Sequence, residues 1–255
     1  ADMFDGIAKC RALRRGWSGV IAALGLETEL YPLQIQALPS LRMFSLADSD
    51  SNILRTTTAL LGGAIGGADI MTSHAHDILS GASAIGRRLA RMQQIMMIEE
   101  SNLGRSLDAA GGSGFVESRT DALARAAWAE FQNIEAGGGA KAAQTGQTFI
   151  SMAQSAAQKR GRKLAAGQLP LLGVTIQPNG KPVPDLLSRW RNLSRPAAVI
   201  EVIRKQMAKA PPRILMIQQS DGDDPQVESL RRVLHIGGMS AVHLTIWENL
   251  ADAVS

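Results

Sequence analysis

The 255-residue sequence predicts an α/β protein built on parallel strands, and three observations carry that prediction. Segments with apolar residues three and four apart alternate with short apolar runs, the pattern of helices crossing between parallel strands. Glycine and proline clusters punctuate the changeovers. The apolar fraction is 45% with only 4% aromatic, so the core is ample but must pack through small aliphatic side chains.

Residues 5–24 carry Ile7, Leu13, Trp17, Val20, Ile21 and Leu24 at mostly helical spacing, with Gly25 as the stop. Leu33 to Leu38, between Pro32 and Pro39, reads as a strand. Asp48 or Asp50 is placed to cap a helix from Asn52 through Leu61, which Gly62-Gly63 should break or tighten. Ala68 to Ser73 is the next expected strand. Ser83 then caps a long helix on which Ile85, Leu89, Met92 and Met96 fall on one predicted buried face, away from Arg87, Arg88, Arg91 and Glu99.

After the Gly111-Gly112 turn, a helix is expected over Thr120 to Ile134, ended by Gly137-Gly138-Gly139. Another follows at about 140–160, and QKRGRK at 158–163 reads as its basic C-terminal end, where cations complement the backbone dipole. Leu169 to Ile176 is strand-like, and Pro178-Asn179-Gly180 is a turn. Beyond Pro211-Pro212 come a strand at 213–218, a helix from Pro225 to Leu234, a Gly237-Gly238 turn and a strand at 241–246. That succession is the opening of a doubly wound sheet.

Three regions follow: a barrel-like part over 1–178, a proline-containing linker over 179–210, and a small α/β part over 211–255. The first supplies about three strands where a closed barrel needs eight. The second supplies two where a doubly wound sheet has about five. The chain is therefore expected to be a piece of something longer.

The formal charge of +4 comes from 27 basic and 23 acidic side chains, dispersed as pairs and short clusters. No basic stripe with interleaved aromatics is present, so nucleic-acid binding is not expected. Cys10 is the single cysteine, which excludes an internal disulfide and points to a reducing, cytoplasmic compartment. No secretory leader is read at Ala1, and no apolar run reaches the ~18 residues of a membrane span.

Local chemistry is sparse. On a strand, His74 and His76 would face the same side, a candidate metal pair for a barrel hydrolase, but the further ligands such a site needs are not nearby. GGAIGGAD at 62–69 reads as following a helix and preceding a strand, the wrong order for a dinucleotide loop, and close helix–strand packing is the plainer reading. DAAGGSG at 108–114 lacks the Lys-Ser/Thr of a Walker loop. Glu99 and Glu100 diverge around a helix, and Ser101, Ser113 and Ser118 have no adjacent histidine–acid arrangement. No catalytic residue is assigned.

Several motifs together resemble the methylmalonyl-CoA mutase family. Lys9 to Trp17 is similar to K-x-R-A-x-R-x-x-W, and Asp48 to Thr57 to D-P-x-x-N-x-x-R-T-T, with Ser49 in the proline place. Arg88 to Ser101 resembles R-x-A-R-N-x-Q followed by E-E-S, with Met92 in the asparagine place. Asp108 to Ser113 resembles D-P-x-G-G-S, with Ala109 in the proline place. Thr120 to Trp128, Gly137 to Gly139 and Gly167 to Ile176 match segments leading out of the barrel. The resemblance implies the C-terminal part of a (β/α)8 TIM barrel, a linker, and the start of a flavodoxin-like cobalamin-type domain.

Departures from the family pattern point away from catalysis by this chain. Catalytic members carry H-T-Q-T-S-G where residues 34–41 here read QIQALPSL, and Thr72 stands in the place of a polar-site histidine. In the cobalt-ligand motif D-x-H-x-x-G, Asp223 replaces the histidine and Gln226 the glycine. A carboxylate is a hard ligand, poorly matched to imidazole's role there. His235 is too far along the helix to substitute. The resemblance thus implies a non-catalytic small subunit, in a heterodimer with a catalytic large subunit that holds adenosylcobalamin and the acyl-CoA, interconverting succinyl-CoA and methylmalonyl-CoA. A divergent catalytic mutase fragment and the His74/His76 hydrolase are the alternatives.

Overall fold

The first helix, α1 (Met3–Ala23), starts at Asp2, whose carboxylate accepts the Phe4 and Asp5 backbone N–H groups at 2.9 and 3.2 Å. The computed structural model describes residues 2–166, 168–210, 212, 214–218, 225–239 and 241–245. Within them the chain is mostly helical, with two small parallel sheets. Strand β1 (Gln36–Ala37) pairs in parallel with β2 (Ile70–Met71), and helix α2 (Ser51–Ile65) crosses between them. Both strands are shorter than the apolar runs that announce them.

Arg14 fixes the start of this unit. Its guanidinium donates to the Leu33 and Gly67 carbonyls and to the Asp69 carboxylate, at 2.8, 2.6 and 2.7 Å. Asp69 in turn accepts the Ile35 N–H at 2.7 Å, so one arginine ties α1 to the entry of both strands.

The expectation that Gly62-Gly63 interrupts the helix is corrected. Helix α2 runs through both and stops at Gly66. At Gly62 and Gly66 α1 lies against the helix: a Cβ on Gly62 would sit 3.0 Å from the Met3 carbonyl oxygen, and one on Gly66 would sit 3.0 Å from the Ile7 Cα. Gly63 faces the strands, where a Cβ would sit 3.2 Å from the Ala37 Cβ and 3.6 Å from the Met71 sulfur, so the expected helix–strand packing is present and a helix–helix contact is added to it.

Helix α3 (Ala84–Glu99) begins at Ser83, whose hydroxyl accepts the Gly86 N–H at 3.0 Å, as expected. Its buried face is a second correction. Ile85, Leu89, Met92 and Met96 are 70%, 36%, 43% and 45% exposed, whereas Gly86, Ala90, Gln93 and Met97 face inward. The inward set has the same spacing, shifted by one residue, or ~100° around the axis. Its small members admit close contact, and Gln93 is satisfied by the Ile53 carbonyl, Thr56 and Thr57.

Helix α4 (Gly114–Ala136) starts earlier than periodicity indicates, directly from the Gly111-Gly112 turn, and lies along α1. Arg11 reaches Asp108 at 2.9 Å and Glu117 at 2.6 Å, Arg119 reaches Asp5 at 2.6 Å, and Phe4 meets Phe115 edge to face. The helix expected at 140–160 is two: α5 (Gly139–Thr145) and α6 (Thr148–Ala165), separated at Gly146 and Gln147, the latter in left-handed backbone. Arg162 and Lys163 occupy the last turn of α6, as read from the sequence.

Leu169 to Ile176 does not form a strand. It closes into a turn through one Leu172–Ile176 bridge, with the Leu171 carbonyl accepting three successive N–H groups, those of Val174, Thr175 and Ile176. Residues 179–210 carry helix α7 (Ala198–Lys209) and supply much of the core. Phe44, Leu46 and Leu79 form one buried cluster against Val183, Leu186, Trp190 and Leu193, and Ala47, Val174 and Ala197 form another. Strand β3 (Ile214–Gln218), helix α8 (Pro225–Ile236) and strand β4 (Ala241–Thr245) follow, with β3 and β4 parallel, Ile214 opposite Ala241. Among the described residues, no helix is long and apolar enough to cross a membrane.

Candidate functional site

The C-terminal ends of β1 and β2, where a parallel α/β unit presents its chemistry, carry little of it. Gln36 donates to the Thr72 hydroxyl at 3.3 Å, joining the two positions at which the family pattern would be polar or imidazole-bearing. Both are exposed. Asp69, nearer the strand entry, is held below the ordinary carboxylate range by the Ile35 N–H and the Arg14 guanidinium, against the opposing effect of burial.

His74 and His76 lie beyond the end of β2, which stops at Met71, so the strand geometry that would aim both at one ion is not present. His74 meets the Phe44 ring edge to face with centroids 6.3 Å apart, and burial lowers its pKa, favouring neutral imidazole. His76 Nε2 stands 3.9 Å from Asp50 Oδ1, and its Nδ1 is buried without a hydrogen-bond partner among the described residues. Among those residues no group of three or more His, Cys, Asp or Glu is arranged to hold a metal.

The residues of the N-x-x-R-T-T motif converge in a different way. Asn52, fully buried, donates to the Ser45 and His76 carbonyls at 2.9 and 2.8 Å and accepts from the Ser45 N–H and Arg55 at 2.9 Å each. Arg55 continues to the Leu172 carbonyl at 2.6 Å, and burial lowers its pKa against the pull of Asp48. Thr56 and Thr57 receive Gln93 from α3 at 3.1 and 2.8 Å. Four separate segments thus meet on one turn of α2. Asp77 completes the set: its carboxylate accepts the Ser83 N–H at 2.9 Å, and Gly86 lacks a side chain where that carboxylate rests.

A second polar cluster was missed in the sequence. Arg195 and Glu201 form a bidentate pair at 2.7 and 3.0 Å, with side chains only 3% and 4% exposed. Glu201 also accepts the Leu46 N–H at 2.7 Å and the Ser45 hydroxyl at 3.3 Å. The signal was available: Ala197, Glu201 and Arg204 fall four and three apart, so charges occupy the buried stripe of α7.

Two clefts remain. A groove of about 770 Å³ between α1 and α4 is lined by Leu13, Trp17, Val20, Trp128 and Phe131, with Lys9, Arg15, Asp121 and Arg125 also on its wall. A smaller one, about 600 Å³, lies between residues 178–185, α7 and the end of α8. Its Lys209 and His235 sit at helix C-termini, where they complement backbone dipoles, and its Lys205 pairs with Asp185 at 2.7 Å.

Comparison with known proteins decides the family. Residues 1–192, three quarters of the chain, match the family model described as methylmalonyl-CoA mutase. The chain belongs to the methylmalonyl-CoA mutase family. A probable methylmalonyl-CoA mutase small subunit of Mycobacterium bovis is 36% identical over 229 residues, covering 85% of this chain and 37% of that protein. The methylmalonyl-CoA mutase small subunit of Streptomyces virginiae is 41% identical over 180 residues, 70% of this chain and 29% of its own length. A methylmalonyl-CoA mutase of Escherichia coli is 32% identical over 177 residues, 68% of this chain and 24% of that protein. The chain therefore spans between about a quarter and just over a third of the length of these curated relatives. Its mutase-like motifs are the residues that build the α1–α4 contact and the Asn52 junction.

Proposed function

We propose that this chain is part of the small subunit of a methylmalonyl-CoA mutase and that its role is structural, beside a catalytic large subunit. One observation carries the reading: six polar residues of the family motifs are engaged in holding the fold. Arg11, Asn52, Arg55, Thr56, Gln93 and Asp108 each find their partners inside the chain, and none is presented with its neighbours toward a cleft. The names of the Mycobacterium and Streptomyces relatives support the small-subunit assignment.

In this reading residues 1–178 belong to a (β/α)8 barrel, 179–210 to the connection, and 211–255 to a flavodoxin-like unit. The parallel pairing of β1 with β2 and of β3 with β4, each across a helix, supports it. Adenosylcobalamin fits this chain poorly. Gln226 places an exposed side chain in the first turn of α8, where the family's glycine would let a nucleotide tail approach the backbone. Asp223 is outside the described residues, and by its chemistry a carboxylate is the wrong donor for the cobalt-ligand role. His235 is in the last turn of α8, at the opposite end of that helix. No step of the reaction is therefore assigned to this chain. The large subunit would hold cofactor and acyl-CoA, in the cytoplasm.

Titration of the chain with adenosylcobalamin, followed by absorbance, tests the assignment. No spectral change is expected. A saturable change at stoichiometric cofactor would move the reading to a divergent catalytic fragment.

A further inference from the structure

We infer that α7 is a strap that fixes the β3–α8–β4 segment against the rest of the chain, and that Arg204 is its pin. The inference does not depend on the mutase reading. Arg204 is buried, and its guanidinium spans two regions distant in sequence: Nη2 donates to the Val174 carbonyl at 2.7 Å, and Nε donates to the Ile236 carbonyl at 2.8 Å. The first acceptor lies in the turn packed on Ala47 and Ala197, and the second ends α8. A single side chain therefore holds the end of α8 to the core, at a carbonyl that the helix itself leaves unpaired.

The strap is anchored at its other end by a separate device. Glu201, one turn earlier, binds Arg195, the Leu46 N–H and the Ser45 hydroxyl, so α7 cannot shift without uncovering a buried ion pair. Burial lowers the Arg204 pKa, and its Nη1 has no partner among the described residues. Such a costly placement is understandable if it specifies position. A buried charge adds little net stability over an apolar side chain of like size, yet accepts only one geometry.

The two anchors predict separable effects. Arg204→Met keeps the aliphatic packing and removes both hydrogen bonds, whereas Glu201→Gln weakens the anchor to the core. Hydrogen exchange by mass spectrometry on the whole chain reads them. In Arg204→Met, amides of 225–236 should exchange about tenfold faster or more, the change expected for loss of one charge-assisted hydrogen bond. Amides of α1 and α2 should be unchanged. In Glu201→Gln, protection should fall in 44–47 as well as in α7. The inference is overturned if α8 exchange in Arg204→Met matches the parent chain, or if α1, α2 and α8 all lose protection together. Arg204→Lys keeps at most one of the two bonds, and α8 protection between that of Arg204→Met and the parent chain is expected.

Discussion

Replacing Asn52 with alanine removes the side chain that ties the 45 and 76 segments to α2. The substitution breaks two donated and two accepted hydrogen bonds, at 2.8 to 2.9 Å, in a site with no solvent exposure. It leaves the Ser45 N–H and two carbonyls unpaired beneath α2. Each buried polar group deprived of its partner costs ~1–3 kcal/mol, and relaxation of the 45 and 76 loops will recover part of the sum. A loss of about 3–5 kcal/mol is expected, against a total of ~5–15 kcal/mol for an ordinary domain. Urea unfolding of parent and variant at neutral pH, with the slope compared as well as the midpoint, measures it. Asn52→Asp is the sharper companion: it keeps the shape but turns an acceptor toward the Ser45 and His76 carbonyls, and should lose nearly as much. A loss below ~1 kcal/mol in both would refute the junction as the organising feature of this region.

Other outcomes follow from the same geometry. Gly66→Ala drives a methyl to within 3.0 Å of the Ile7 Cα and should destabilise by ~1–3 kcal/mol, whereas Gly16→Ala, in the open on α1, should stabilise by up to ~1 kcal/mol; thermal melts of the pair distinguish packing from helix propensity. The folded pKa of Asp69 lies below its ordinary 3.8, so its stabilising contribution is present above that value and is lost as pH falls through the folded pKa. Asp69→Asn should therefore be less stable than the parent at neutral pH, with the gap closing in acid; a gap independent of pH would exclude the Arg14–Asp69 contact as its source. Elemental analysis of the chain and of the His74→Ala/His76→Ala double variant should give the same zinc content, and zinc lost only in the variant would revive a metal site.

The sequence made α1, the Ser83 cap, the basic end of α6 and the β3–α8–β4 succession legible because each rests on local signals: periodicity, a capping hydroxyl, turn glycines. Errors arose where a tertiary neighbour decides. The apolar stripe of α3 at Ile85, Leu89, Met92 and Met96 is a genuine helical face, but the adjacent face of Gly86, Ala90 and Gln93 makes the closer contact. Gly62 and Gly63 are helix breakers by propensity, yet α1 presses on Gly62 and the strands on Gly63, and the helix continues. Leu169 to Ile176 has strand composition, but among the described residues no neighbouring strand pairs with it, and a local turn takes up its backbone groups. For the site, the matched motifs were visible, but that their residues bind one another was not. Arg195, Glu201 and Arg204 went unread because 179–210 was taken as a proline-containing linker, in which the buried stripe of α7 was not sought.

The central claim, a structural small subunit with its chemistry elsewhere, is tested most directly by its partner. The tagged chain should be purified from its native source under mild conditions, and the proteins retained with it identified and quantified by mass. The account predicts one large mutase chain in stoichiometric amount, whose cobalamin content is not altered by Gln226→Ala in the tagged chain. Retention of no mutase chain, or bound cobalamin on the tagged chain alone, would contradict it.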